Sequence, residues 1–242
     1  MLEAGLWGLA AAATLVVGAL IGLFARIPSR FVALVLAFGV GALISAVAFD
    51  LTEEAFRVGG TLPVAVGLGI GALTFFGGDQ ILARGGAARR GPRVTQVANN
   101  GMAIVLGALL DGIPESVVLG STLLGGAGIS IPFFFAVAIS NVPEALTAAV
   151  DLRREGHKPG WIIGLWVVVA VVSGLFAALG FGALGEMGQS DWVPLIQAFA
   201  AGAILTMLVD TMIPEAFTDA GDLVGLATVL GFASAFFLTT IS

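Results

Sequence analysis

The feature that most constrains this chain is a succession of long apolar stretches, separated by short polar or Gly/Pro-rich breaks. Hydrophobic residues make up 58% of the sequence and charged residues only 11%. A soluble domain this apolar could not keep enough polar surface in water, and each bilayer crossing needs about 20 apolar residues. The sequence therefore predicts an all-α integral membrane protein with eight transmembrane helices. The predicted spans are 5–25, 31–51, 61–82, 96–119, 131–150, 161–181, 194–213 and 223–241.

We expect a single transmembrane domain over residues 1–242, with a cytoplasmic loop at 83–95 between the third and fourth spans. That loop is rich in Gly and Arg and has no apolar periodicity, which is typical of a flexible connection. The first apolar run lacks a basic leader and carries Glu3, which favours a membrane span over a cleaved signal peptide. The chain has no cysteine, and its one histidine, His157, is interpreted as a solvated loop residue.

Basic residues are concentrated in the loops on one side of the predicted bundle. Short cytoplasmic loops carry an excess of Lys and Arg, and Arg57 is the one basic residue outside three such loops. We therefore expect a multi-pass protein of the cell membrane (plasma or inner), with both termini outside the cytoplasm. The loops after the first, third and fifth spans hold the others, which are Arg26, Arg30, Arg84, Arg89, Arg90, Arg93, Arg153, Arg154 and Lys158.

The second and seventh spans have related sequences. Residues 38–56 read FGVGALISAVAFDLTEEAF, residues 199–217 read FAAGAILTMLVDTMIPEAF, and a constant offset of 161 aligns them without a gap. Since one span is even-numbered and the other odd-numbered, they cross the membrane in opposite senses. Many secondary transporters use such an inverted repeat for alternating access. Chance similarity between two Ala- and Gly-rich helices is the alternative.

The fourth and fifth spans, between the repeats, each carry an intramembrane Pro-Glu pair, Pro114-Glu115 and Pro143-Glu144. Three helices, this central pair and three further helices give a 3+2+3 arrangement with an inverted repeat. Each proline lacks a backbone N–H and frees a carbonyl about one turn earlier. Such backbone is tolerated at membrane depth where it faces a cavity, so we expect the two central helices to line one.

Acidic residues in these two spans indicate a functional site, because an ionised carboxylate in hydrocarbon is costly. Asp111 and Glu115 are four residues apart and share a helix face, where a cation or a shared proton relieves their repulsion. The fifth span adds Ser140, Asn141 and Glu144, with Ser140 and Glu144 also four apart. Together these oxygen ligands suit a divalent cation. For Ser140 or Asn141 taken alone, hydrogen bonding between helices remains an open alternative.

Five further acidic residues lie toward the ends of the second and seventh spans. They are candidates for entrance and exit vestibules that concentrate cations. Because they are close to helix ends, they are equally compatible with solvated interface positions. The five are Asp50, Glu53 and Glu54 at the outer end of the second span, and Asp210 and Glu215 toward the cytoplasmic end of the seventh.

Two short motifs resemble those of a known family. DGIPES at 111–116 resembles the HNxPEG motif in the fourth span of the ZIP family of zinc- and iron-type metal transporters, and SNVPEA at 140–145 resembles the PEG-containing motif of the fifth. The eight-span pattern and the basic loop fit as well, so the resemblance covers essentially the whole chain. It implies divalent metal transport. It also implies that Asp111, Glu115, Ser140 and Glu144 occupy the primary metal-site positions, with Gly112 and Asn141 at those of a second site.

The sequence departs from the family pattern at several of these positions. Asp111 stands where the family usually has His, and Gly112 stands where it usually has Asn. Ala177 replaces an acidic residue of the sixth span, and Leu43 replaces a Met sometimes used from the second. We therefore expect the second site to be lost or very weak and the primary site to survive with oxygen ligands only. Carboxylate in place of imidazole hardens the site and favours Mn²⁺, Fe²⁺ or Mg²⁺ over Zn²⁺.

Three other functions are weighed against transport of a divalent metal ion (zinc, manganese, iron or magnesium). One is a degenerate, non-transporting family member that acts as a metal sensor or scaffold, which the missing ligands suggest. An intramembrane enzyme is not favoured, because the sequence has no GxGD-like motif and no His-Glu zinc helix. A carrier of organic cations lacks aromatic residues at the site. The expected partners are the metal ion and the lipid bilayer, without nucleic acid or a further cofactor, and a homodimer is left open.

Overall fold

The computed structural model describes residues 1–84, 101–125, 128–187 and 192–241, and every regular element in these ranges is helical. Two π-helical segments, Val47–Thr52 and Leu208–Met212, and two 3-10 turns, Leu123–Gly125 and Gly221–Leu223, connect some of the α-helices. The α-helices are α1 Leu2–Phe24, α2 Ser29–Ala46, α3 Glu53–Gly59, α4 Thr61–Arg84, α5 Gly101–Thr122, α6 Ile131–Arg154, α7 Pro159–Met187, α8 Trp192–Met207, α9 Ile213–Ala220 and α10 Val224–Ile241.

Six helical segments within the described residues are long and apolar enough to cross a membrane. Their outward faces carry exposed apolar side chains, such as Leu73 on α4 and Phe237 on α10, as expected against lipid. The chain is therefore a multi-pass helical membrane protein. The six segments are Leu2–Phe24, Ser29–Gly59, Thr61–Ile81, Ile131–Arg154, Pro159–Glu186 and Trp192–Ile241.

The second helix is longer than its apolar pattern predicts. The expected span 31–51 continues without interruption through the π-segment and through α3 to Gly59. It ends where Gly60 adopts φ 73°, a left-handed conformation that glycine takes without steric cost and that commonly terminates helices. The boundary prediction at Leu51 was wrong because Glu53 and Arg57 are polar yet helical, so the helix outlasts the apolar run.

The internal repeat has a counterpart in the backbone. The π-segments begin at Val47 and at Leu208, which are related by the same offset of 161 residues that aligns the sequences. The glycines that end the two helices, Gly60 and Gly221, share that offset and both have positive φ, 73° and 57°. The two related stretches of the chain thus fold alike: each forms an α-helix, a π-helical segment and a second α-helix that ends at a glycine.

Glycines bring the repeat helices into close contact with their neighbours. A methyl group at Gly71 of α4 would lie 1.9 Å from the Phe199 carbonyl oxygen of α8. One at Gly231 of α10 would lie 1.9 Å from the Phe38 carbonyl oxygen of α2. Phe38 and Phe199 are equivalent residues of the repeat, so α10 packs on α2 in the way that α4 packs on α8. Small residues at helix contacts are typical of membrane bundles, where packing replaces the hydrophobic effect.

The described helices form two sets. Helices α1, α5, α6 and α7 pack around one another, while α2, α4, α8 and α10 form a second set in which α4 lies along α8 and α10 along α2. The two sets meet chiefly where α2 contacts α6. In the first set, Trp166 and Ile162 of α7 are buried in an apolar cluster with residues of α1 and α6. This set surrounds the candidate site.

The glycine contacts predict a sharp difference between two positions of α4. We expect Gly71→Ala to destabilise the protein by about 1–3 kcal/mol, because its methyl group overlaps the α8 backbone, and to lower Tm by roughly 2–10 °C. Gly69→Ala is the matched control, since nothing lies within 4 Å of its added methyl group, and its Tm should stay within about a degree of the parent value. Thermal unfolding of both variants in one detergent measures this. Equal melting temperatures would contradict the packing described.

Candidate metal centre

A small cavity lies between α1, α5, α6 and α7. Its volume is about 10 Å³, close to the smallest space that holds one water molecule. The walls contributed by α1 are small or apolar, including Gly8, Ala11 and Leu15. The polar side chains that line the cavity are Glu115 and Ser116 of α5, Asn141 and Glu144 of α6, and Ser173 of α7.

Two carboxylates share this cavity. Glu115 is only 5% exposed, and Glu144 is half-buried. Each follows a proline inside its helix, and both α5 and α6 continue as α-helix through Pro114 and Pro143. Two ionised carboxylates around so small a space repel each other, and a bound cation or a proton removes that repulsion. The structure thus brings together the two Pro-Glu pairs that the sequence singled out.

Asn141 is held by a contact with α1. Its Nδ2 donates a hydrogen bond to the Ala11 carbonyl oxygen at 3.2 Å, and the side chain is buried at 6% exposure. Because the amide nitrogen is engaged with α1, Oδ1 is the atom of this amide that is suited to a cation. The same contact ties α1 to α6 beside the two carboxylates.

Ser140 occupies a different face of α6 from the cavity-lining residues. Its Oγ donates a hydrogen bond to the Val137 carbonyl oxygen at 3.0 Å. A methyl group at Gly39 of α2 would contact the Ser140 backbone and Cβ at 3.0–3.1 Å. Ser140 therefore packs against α2, and among the residues described it does not line the cavity. Its assignment as a metal ligand stays a prediction.

Asp111 lies on α5, one turn before Glu115, but its side chain falls outside the described part of the structure. Within the described part, no three His, Cys, Asp or Glu side chains cluster in a way that would hold a metal ion. The carboxylates placed at the cavity are therefore Glu115 and Glu144, and the role of Asp111 also stays a prediction. The sole histidine, His157, lies away from the cavity, stacked on Trp161 with 4.4 Å between ring centroids.

Asp50, predicted as a pathway residue, connects three helical segments. It lies on the first π-segment and accepts a hydrogen bond from Ser130 Oγ at the N-terminus of α6. Thr239 Oγ1 of α10 donates to its other carboxylate oxygen at 3.5 Å. Asp50 therefore joins the second helix set to the helix that carries Asn141 and Glu144.

The other four predicted pathway acids do not line the cavity. Glu54 forms an exposed ion pair with Arg57, with 2.6 Å between Oε2 and Nη2, and Glu53 is also exposed. Asp210 is exposed on the second π-segment, and Glu215 is half-buried on α9. Exposed pairs such as Glu54–Arg57 contribute little stability, about 0–1 kcal/mol. A vestibule role for these residues remains a prediction.

Three participants in the site were not among the ligands predicted from the sequence. Ser173 lines the cavity, the Ala11 carbonyl orients Asn141, and Ser116 donates its Oγ hydrogen to the Gly112 carbonyl oxygen at 2.6 Å. Gly8, Ala11 and Ala12 follow the i, i+3, i+4 spacing of one helix face. That run of small residues was the available signal that α1 approaches the site closely.

The arrangement defines a multi-pass membrane protein with a small cavity into which five polar side chains converge. Carboxylate, amide and hydroxyl oxygens are the ligands that hard divalent cations prefer. Two carboxylates balance the charge of one divalent cation, so a cation can lie in the cavity without leaving uncompensated charge in the membrane.

No protein-family model matches the sequence. The chain is similar to a curated protein of Arabidopsis thaliana that is named as a candidate zinc transporter, with 27% identity over 245 aligned positions. The alignment covers 98% of this chain and 38% of that protein. This similarity supports the resemblance to the ZIP family drawn from the two Pro-Glu motifs.

The cavity geometry predicts that Glu115→Gln and Glu144→Gln each weaken Mn²⁺ binding by tenfold or more, because each removes one of two charges that balance the ion. Tenfold corresponds to about 1.4 kcal/mol. Metal titration of the purified protein by calorimetry measures the effect. Glu186→Gln, an exposed residue at the end of α7, is the matched control and should bind as the parent does. An equal loss in all three variants would contradict the assignment.

Proposed function

We propose that this protein transports a divalent metal cation across the membrane through the carboxylate-lined cavity between α5 and α6. The observation that carries this proposal is the convergence of Glu115 and Glu144 in a cavity of about 10 Å³ inside a membrane bundle. The Arabidopsis relative, named as a candidate zinc transporter, supports the same class of cargo.

The proposed topology has eight crossings in a 3+2+3 arrangement. Trp192–Ile241 spans 50 residues, more than one crossing requires, and the glycine with positive φ at Gly221 divides it into two helices. Dividing that segment raises the number of crossings from six to seven, and α5 adds the eighth. In this proposed topology the protein lies in the cell membrane, and the excess of basic residues in the loops of one side favours both termini outside the cytoplasm.

An inverted repeat provides a route to alternating access. The matched π-segments and the matched contacts of Gly71 and Gly231 support a repeat that relates the helices before the central pair to those after it. Related halves of this kind adopt two arrangements around one site, and each arrangement opens the site to one side of the membrane.

The proposed ligands are Glu115, Asn141 and Glu144, with Asp111 and Ser140 added from the sequence motifs. All of these offer oxygen atoms, and the one histidine of the chain lies elsewhere. Hard oxygen ligands favour Mn²⁺, Fe²⁺ or Mg²⁺ over zinc in comparison with sites that contain imidazole. We therefore propose a harder cargo than the name of the Arabidopsis relative gives for that protein.

Uptake of radioactive Mn²⁺ into proteoliposomes tests transport. We expect Glu144→Ala and Asp111→Ala to abolish uptake, because each removes a proposed ligand, and Glu186→Ala to leave it unchanged. A metal sensor or scaffold that no longer transports would bind Mn²⁺ without carrying it, so binding without uptake in the parent protein would exclude the proposal.

Competition in the same vesicles tests the choice of ion. With Mn²⁺ as the labelled ion, an equal concentration of unlabelled Zn²⁺ should inhibit uptake less than unlabelled Fe²⁺ does. A strong preference for Zn²⁺ over Mn²⁺ would contradict the proposed preference for harder ions, but it would not contradict the proposal that the protein transports a divalent metal ion.

A further inference from the structure

Ser173 is the polar side chain by which α7 reaches the cavity. It is 3% exposed and lines the same space as Glu115, Asn141 and Glu144. Neither the Pro-Glu motifs nor the acidic residues of the chain point to it. Its position means that four helices enclose the cavity and that three of them contribute polar side chains.

The Ser173 hydroxyl differs from those of neighbouring buried serines. Ser116, Ser121 and Ser140 each donate to a carbonyl oxygen of their own helix, at 2.6–3.0 Å. Ser173 Oγ donates no hydrogen bond to any residue that the structure describes. Since no carbonyl oxygen of its own helix accepts its hydrogen, the Ser173 hydroxyl can turn its oxygen toward a group inside the cavity.

The α5 surface facing Ser173 carries Gly112. The nearest atom to a methyl group added at Gly112 would be Ser173 Oγ, at 3.6 Å. Gly112 and Glu115 are three residues apart and share a helix face. The Ser173 hydroxyl therefore faces the side of α5 that carries Glu115, where Gly112 contributes only backbone.

We propose that Ser173 is a direct ligand of the transported ion and contributes to its selection. This proposal rests on the proposed function. Its hydroxyl supplies a neutral, hard oxygen from α7, which completes the shell formed by Glu115, Asn141 and Glu144 without adding charge. Neutral oxygen ligands suit Mn²⁺ and Mg²⁺ better than thiophilic ions such as Cd²⁺.

Exchange of this oxygen for sulfur tests direct coordination. The chain has no native cysteine, so Ser173→Cys introduces the sole thiol. We expect its ratio of Cd²⁺ to Mn²⁺ affinity to rise at least 100-fold over the parent, because a thiolate prefers the softer ion. Addition of Cd²⁺ should also produce the ultraviolet charge-transfer band of a cadmium–thiolate bond. Calorimetry and absorption spectroscopy of the purified protein measure the two effects.

Ser45→Cys is the matched control. Ser45 is fully buried, and its Oγ has no hydrogen-bond partner among the described residues, but it does not line the cavity. This variant should show neither the affinity change nor the absorption band. Ser173→Ala provides a second test that adds no bulk, with an expected tenfold loss of Mn²⁺ affinity and an unchanged Tm in the absence of metal.

The outcomes separate this proposal from the proposed function. If the parent protein binds Mn²⁺ and Glu144→Gln weakens binding, while Ser173→Cys shows no band and Ser173→Ala binds normally, the role of Ser173 is overturned and the metal centre stands. If the parent binds none of these ions, both proposals fail. Should Ser173→Cys not fold, normal Mn²⁺ binding by Ser173→Ala would overturn the ligand role by itself.

Discussion

Glu115 and Glu144 share a cavity inside a bundle that is apolar enough to lie in a bilayer, and the structure around them has to compensate their charge. Water is the usual compensation, and the cavity of about 10 Å³ has room for about one molecule. Close helix packing keeps the space small: a methyl group at Gly18 of α1 would lie 2.3 Å from the Val142 carbonyl oxygen, and one at Gly120 of α5 would lie 2.0 Å from that of Ala177. A cation bound in this space would balance the charge of both carboxylates, as the proposed transport requires.

The repeat provides the frame that holds this site. Its two copies share π-segments, terminating glycines and backbone contacts, as Gly60 and Gly221 illustrate by ending their helices at equivalent positions. A π-segment places an extra residue in a helical turn and frequently occurs at functional sites. In the first copy the π-segment carries Asp50, whose contact with Ser130 links the frame to the N-terminus of α6. The frame and the helices that line the cavity thus meet at a polar contact as well as through apolar packing.

Local patterns in the sequence were sufficient to predict helical membrane segments, the repeat and the pairing of Glu115 with Glu144. They were insufficient for contacts between distant parts of the chain, such as Asn141 with Ala11, 130 residues earlier.

Ser140 and Glu144 illustrate a second limit of prediction from the sequence. Four residues advance a helix by about 400°, so the two side chains differ by about 40° in direction. In a crowded bundle that difference places one against α2 and the other at the cavity. For the sixth span the family resemblance pointed to Ala177 and not to Ser173, one turn earlier, because a lone serine in an apolar helix has no distinctive spacing.

Anomalous diffraction from crystals soaked in Mn²⁺, with data collected at the manganese absorption edge, tests the central claim most directly. The account predicts one strong peak between α1, α5, α6 and α7, within about 2.5 Å of carboxylate oxygens of both Glu115 and Glu144. An empty cavity, with manganese bound only at exposed carboxylates such as Glu54 or Asp151, would contradict it.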